Sequence, residues 1–202
     1  MRRLIRKAVF SAVLLALCVA LMGFGTAREN ATGADWVSNA MGGGGFLVAF
    51  FAVIHLVMTL HALRGMARLL GGHGKIAQWH VSATEWEKFR MADPTRTKTN
   101  PTFLRNILQL SPRTPREGVE IVIGEKGVLV GGDYHGLGGL KNLGWLNNAN
   151  QPGRPPDCLE FLFATTRGKS GVVAHSTLRV PVPETAFAQA ALVQRHFAPN
   201  AK

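Results

Sequence analysis

The chain has 202 residues, 47% hydrophobic, 17% charged and 8% aromatic, a composition that excludes both a disordered and a collagen-like polymer. Two cysteines build neither a disulfide-stapled scaffold nor a four-cysteine zinc site, and 23 Lys+Arg against 12 Asp+Glu give a formal charge of +11 that calls for an anionic surface as partner. The mean hydropathy of +0.10 is high for a soluble protein and is concentrated in the first 63 residues, so a simple soluble enzyme is excluded as well.

Ala8 to Gly25 holds no charged residue. At 1.5 Å per residue a helix over these positions covers about 27 Å, close to the roughly 30 Å hydrocarbon core of a bilayer. Met41 to Leu63 is a second stretch without Asp, Glu, Lys or Arg, and it carries His55 and His61. Both are expected to be transmembrane helices, 8–25 and 41–63, within a membrane region 1–70. For the first a second reading stays open, a cleaved signal peptide with Arg2, Arg3, Arg6 and Lys7 as its basic flank. The uncleaved anchor is preferred because the apolar run exceeds the usual signal core of about 7–15 residues. Basic residues precede the first segment and follow the second as Arg64, Arg68 and Lys75, whereas the loop between holds Arg28 against Glu29 and Asp35. The positive-inside rule then puts both the N-terminus and the C-terminal portion on the cytoplasmic side of a multi-pass inner-membrane protein. Cys18 falls in the bilayer and Cys158 in a reducing compartment, so no disulfide joins them.

Residues 71–75 read as a flexible linker built on Gly71-Gly72-His73-Gly74, and 76–202 as one domain. Ile76–Val81 reads as a strand. Ser82 and Glu85 form a capping box for a short helix, with Val81 and Trp86 at hydrophobic-staple spacing. From about 93 to 118 the dipeptides Asp93-Pro94, Asn100-Pro101, Ser111-Pro112 and Thr114-Pro115 punctuate the chain, so the stretch is not one regular element. Between them Phe103, Leu104, Ile107 and Leu108 follow helical spacing from an Asn100 cap, so a small amphipathic helix in a basic, proline-rich insertion is expected. Val119–Gly124, a Glu125-Lys126 turn and Val128–Val130 form a hairpin. Gly131–Gly144 reads as glycine-rich turns, 157–164 and 172–182 as strands, and Glu184–Phe197 as a closing helix with the stripe Ala186, Ala190, Val193 and Phe197. The fold class is α+β, an antiparallel sheet or small barrel closed by a C-terminal helix and preceded by two transmembrane helices.

These elements resemble the bacterial pleckstrin-homology-like domains found beside membrane helices. The features that carry the likeness are Gln78-Trp79, the hairpin 119–130, Leu159-Glu-Phe161, Arg179-Val-Pro-Val-Pro183 and the final amphipathic helix. It covers about residues 76–198 and implies a bent antiparallel barrel plugged by one helix. It implies no chemistry, because such domains mostly scaffold lipid headgroups or protein partners. The basic loop of the first hairpin that serves eukaryotic members has no match here, so no binding residue is carried over.

Candidate functional residues follow from charge and placement. Arg96, Lys98, Arg105, Arg113 and Arg116 lie in the insertion with no acid between Pro94 and Arg116. They are expected to face anionic headgroups or a protein partner, since a basic residue near such a surface gains about 1 kcal/mol. His55 is an ionisable residue near the middle of an apolar helix, where it either makes an intramembrane polar contact with a neighbouring helix or marks a site. Met41-Gly-Gly-Gly-Gly45 is either a helix–helix contact or a flexible junction. The remaining histidines lack ligand spacing, the Gly136–Gly144 run lacks the strand–loop–helix context of a phosphate loop, and no nucleophile motif is present. No metal, cofactor, nucleic-acid partner or catalysis is therefore expected. The expected role is binding or scaffolding at the inner membrane face, with anionic lipids and other membrane proteins or a second copy of the chain as partners. An accessory subunit or assembly factor of a membrane complex is the alternative, and a membrane-bound enzyme a weaker one.

Overall fold

The computed structural model describes residues 2–33, 35–99, 104, 106–108, 115–148, 153, 155–167 and 172–198. The chain divides into two compact units, Met1–Ala67 and Arg68–Lys202.

The first unit is a pair of long helices, α1 (Arg2–Thr32) and α2 (Trp36–Leu70). Each is long and apolar enough to cross a membrane, and each outruns the uncharged stretch that marks it in the sequence. Charge bounds the apolar segment, but not the helix, which continues for as long as its backbone stays hydrogen-bonded and its ends are capped. The cap of α2 is Asp35: its carboxylate accepts the Ser38 backbone N–H at 2.7 Å, while the Asp35 N–H donates to the Ser38 hydroxyl at 3.0 Å. Arg28 reaches the same carboxylate at 2.7 Å across the turn. The Ser38 N–H, and then Arg28, hold the Asp35 carboxyl below its usual range. The glycine run 41–45 lies inside α2 and not at a loop junction. Of its four glycines only Gly45 meets α1: a Cβ there would come 2.8 Å from the Met22 side chain, whereas Gly42, Gly43 and Gly44 face open space.

The second unit holds two antiparallel sheets. One runs β1 (Lys75–Val81), β2 (Val119–Gly124), β3 (Gly127–Val130), β4 (Asp133–Gly136), and the other β5 (Leu140–Leu146), β6 (Asp157–Arg167), β7 (Val172–Val182). Between β1 and β2 stands α3 (Ala83–Thr99), and after β7 a single 3-10 turn (Glu184–Ala186) leads into α4 (Phe187–Phe197). The unit is α+β, as expected. Both sheets contribute to one core, in which Ile121, Ile123 and Val128 meet Leu159, Phe161, Leu178 and Val180. The stripe Ala186, Ala190 and Val193 of the closing helix is buried in it, with Phe197 packed at its margin. Helix α4 packs on β1 and β5, one edge strand from each sheet. The indole N–H of Trp79 on β1 donates to the Pro181 carbonyl of β7 at 3.0 Å.

Three local expectations change. The glycine-rich stretch 131–144 holds β4 and most of β5: Gly131, Gly132 and Gly139 take positive φ in the turns, while Asp133–Gly136 pairs with β3 and Leu140–Leu146 with β6. Asp93-Pro94 does not end α3, which runs on to Thr99. Pro94 removes one helical N–H, and Asp93 beside it is anchored by a buried ion pair. The helix expected around 103–108 is absent from its described residues. Instead Asn106 forms a parallel bridge with Thr177 of β7, the Ile107 N–H donates to the Thr177 carbonyl at 2.8 Å, and Leu108 is buried in the core. An open edge strand offers unpaired backbone groups, and pairing there outweighs the local helical period. Gly118, which enters β2, has φ +79°, and a Cβ on it would lie 2.3 Å from the Val81 carbonyl oxygen, so glycine is required there.

His135 on β4 faces Val128 across the ladder, and its Nε2 is buried without a hydrogen-bond partner among the described residues. Burial pushes its pKa below the ordinary imidazole value of 6.5, against a smaller upward pull from Asp133. The unfolded chain therefore takes up this proton more readily than the folded one. The stability tied to neutral His135 is complete above about pH 6.5 and is lost as pH falls towards the lowered folded value. Urea midpoints of residues 68–202 are expected to be lower near about pH 5 than near about pH 8, and His135→Leu should flatten that difference. An undiminished pH dependence in the variant would assign it to other groups.

Candidate functional site

The five basic residues of the insertion do not come together as one described surface. Arg96 and Lys98 fall on the last turns of α3, with their side chains outside the described residues, and Arg105 and Arg113 lie outside them altogether. Arg116 is exposed in the turn that precedes β2.

The same stretch instead supplies parts of a buried cluster around Arg179. On β7, Leu178, Val180 and Val182 point into the core, so alternation sends Arg179 to the opposite face. That face is covered too: α3, Leu104 and Asn106 lie against it, and Arg179 has no solvent exposure. Its Nε donates to Glu160 at 3.0 Å and to the Thr177 hydroxyl at 3.2 Å. One terminal nitrogen pairs with Asp93 of α3 and the other donates to the Leu104 carbonyl. Glu160 stands directly opposite Arg179 in the β6–β7 register. Asn106 completes the cluster from the main-chain side: its Oδ1 accepts the Arg179 backbone N–H at 3.0 Å and its Nδ2 donates to the Arg179 carbonyl at 3.1 Å. The guanidinium edges are thus turned towards protein acceptors, and the cluster acts as a clamp that fastens α3, Leu104 and Asn106 to β7. The signal available in the sequence was a lone charge inside the run Leu178-Arg-Val-Pro-Val182, the mark of a strand covered on both faces.

A second constellation lies in the helical unit. An open groove of about 520 Å³ runs between α1 and α2, lined at one end by Arg6 and Lys7 and along its length by apolar side chains. His55 lines it as well, with its Nδ1 2.6 Å from the Ser11 hydroxyl oxygen. Ser11 has one proton, and its oxygen lies 2.9 Å from the Lys7 carbonyl one turn back. Both contacts are satisfied when Ser11 donates to Lys7 and His55 donates from Nδ1, which leaves Nε2 as the lone-pair nitrogen. Ser11 is one turn from Lys7, so His55, which lies near the middle of α2, meets α1 one turn beyond its basic residues.

Cys158 is buried at the start of β6, where the neighbouring Asp157 accepts the Trp145 indole N–H at 3.0 Å and the Asn148 backbone N–H at 2.7 Å. Cys18 and Cys158 are not joined by a disulfide. Among the described residues no group of three His, Cys, Asp or Glu side chains could hold a metal ion. In comparisons with known proteins the chain matches no family model, no curated protein and no solved structure.

Replacing Arg179 with Met is expected to cost about 3–5 kcal/mol, because it strands the carboxylates of Asp93 and Glu160 in or near the interior. The combined change Arg179→Met, Asp93→Leu, Glu160→Leu should recover most of that loss, as an apolar isostere of a buried ion cluster often does. Urea unfolding of residues 68–202 reads both. A single variant within about 0.5 kcal/mol of the parent would show that the clamp holds nothing.

Proposed function

We propose that the protein is an integral membrane protein whose two helices anchor a pleckstrin-homology-like domain at the inner face of a bacterial-type membrane, where the domain binds anionic headgroups or scaffolds other proteins. The observation that carries the membrane part is the exposure of the helix pair. Only 17% and 11% of the most apolar windows of α1 and α2 are buried, and Phe10, Leu17, Phe24, Phe46, Phe50, Val57 and Met58 are all exposed. A core helix of a soluble protein buries such side chains. A pair that leaves them uncovered all round calls for an apolar solvent, and its backbone groups are already satisfied within each helix.

The domain reading is supported by the arrangement of the second unit: among its described residues, seven antiparallel strands in sheets of four and three, with a C-terminal helix whose apolar stripe enters the shared core. The headgroup reading is supported by charge, 18 Lys+Arg against 10 Asp+Glu over residues 64–202, and by the short tether to α2. In the positive-inside orientation the connection between α1 and α2 faces outward, and the second unit faces the anionic leaflet.

Reporter fusions after Asn39 and after Lys202 should report outside and inside respectively. A C-terminus found outside would remove the lipid reading together with the orientation. Residues 68–202 should sediment with vesicles containing anionic lipid and not with neutral ones. If three of the five basic residues reach the surface, the preference is roughly a hundredfold. It should weaken as salt shortens the Debye length from about 10 Å at 0.1 M to about 3 Å at 1 M. Replacing Arg96, Lys98, Arg105, Arg113 and Arg116 with Gln should abolish it while the circular dichroism spectrum stays unchanged. Absence of vesicle binding would favour a subunit of a membrane complex, docked through protein contacts.

A further inference from the structure

We infer that the groove between α1 and α2 is a binding site for an anionic phospholipid, with one acyl chain lying along the groove and the phosphate paired with Arg6 and Lys7. The inference rests on the membrane-spanning reading above. It goes beyond that reading by assigning a lipid site to the helix pair, separate from any basic surface of the C-terminal unit.

The chemistry of the lining divides cleanly. Phe10, Leu14, Val48, Phe51 and Ala52 form hydrocarbon walls, and Arg6 and Lys7 stand at the rim with no carboxylate among the lining residues. The volume of about 520 Å³ falls in the roughly 300–1,000 Å³ range of sites that enclose small ligands. In a bilayer an acyl chain gains no hydrophobic free energy by moving from lipid to a protein wall. Shape therefore retains the chain, and the charged rim supplies the selection of headgroup. The rim lies where a headgroup would be: Arg6 and Lys7 directly precede the uncharged run that begins at Ala8, at the end assigned to the inner leaflet.

The same charges argue against the other occupant of such a groove, a transmembrane helix from a partner or a second copy. Membrane helices carry their Lys and Arg at the inner face, so a helix laid into this groove would bring like charge onto Arg6 and Lys7. A phosphate brings opposite charge. The Ser11–His55 contact adds a structural provision. It engages the one hydroxyl of the lining with α1's own backbone and with α2, so below the rim that hydroxyl needs no water.

The test uses the full chain in a neutral detergent and native mass spectrometry with dioleoyl phosphatidylglycerol or dioleoyl phosphatidylcholine added. One phosphatidylglycerol should remain on each chain under activation that strips phosphatidylcholine. The double variant Arg6→Gln, Lys7→Gln should lower its apparent affinity roughly thirtyfold, the effect of two basic residues near an anionic group. Val48→Trp keeps both cations but fills the groove, and it should lose the bound lipid with its helical circular dichroism unchanged. Gln at positions 96, 98, 105, 113 and 116 should leave the lipid in place, and glycerol phosphate, which has no chains, should not displace it. Equal retention of the two lipids, or wild-type binding by Val48→Trp, would overturn the site. A chain recovered in the soluble fraction without detergent would overturn the membrane reading as well, whereas an inserted chain without lipid preference overturns the groove alone.

Discussion

A guanidinium with no exposure to solvent must find its counter-charges and acceptors inside the protein, and at Arg179 this requirement organises most of the second unit. Moving such an ion out of water costs several kcal/mol unless its donors are matched. Asp93 and Glu160 supply the charge, while Thr177 and the Leu104 carbonyl supply further acceptors. These groups come from α3, β6, β7 and the segment after α3, so the clamp joins elements that are distant in the chain. It accounts for two features that local chemistry alone would not produce: α3 continues past Pro94, and Asn106 and Ile107 pair with Thr177 of β7. Asn106, paired in both directions with the Arg179 main chain, holds the second of these in register.

Around the clamp the remaining architecture is ordinary burial. Two antiparallel sheets share a core, and α4 packs on the edge strands β1 and β5, with Ala190 and Val193 buried. Trp79 contributes apolar volume and a hydrogen bond to the main chain of the other sheet. Its indole N–H would otherwise be an unmet donor in the interior. In the helical unit the balance is reversed. Nearly all of the apolar surface faces outward, and polar contacts between the two helices are made by the Arg28–Asp35 pair at the turn and by Ser11 with His55.

Several elements were legible because their signals are local. The Ser82–Glu85 box forms as its spacing requires, with the Glu85 N–H donating to the Ser82 hydroxyl at 3.2 Å and the Ser82 N–H to the Glu85 carboxylate at 3.1 Å. The Gly124–Gly127 hairpin has the expected two-residue turn. The stripe of α4 meets the core because a 3.6-residue period leaves it no other face to bury. The candidate basic surface was legible only as composition. Charge can be counted from residue types, but which arginines share a face is a matter of how 93–118 folds, and there two of the local signals, the Asp93-Pro94 break and the 103–108 period, pointed the wrong way.

By itself the amino-acid sequence determined the two apolar helices, the α+β class of the remainder, the hairpin, the Ser82–Glu85 capping box and the inward face of the closing helix. Each follows from the steric and hydrophobic preferences of residues within a turn or two of one another. Only the tertiary structure decided that Asp93, Leu104 and Asn106 would meet Arg179, that the glycine-rich stretch would hold β4 and β5, and that His55 would find Ser11 beside the basic end of α1. Those outcomes depend on partners tens of residues away. A buried charge, an open strand edge or a lone polar group in an apolar helix shows in the sequence as a need, and the residue that meets it is chosen only when the chain has packed.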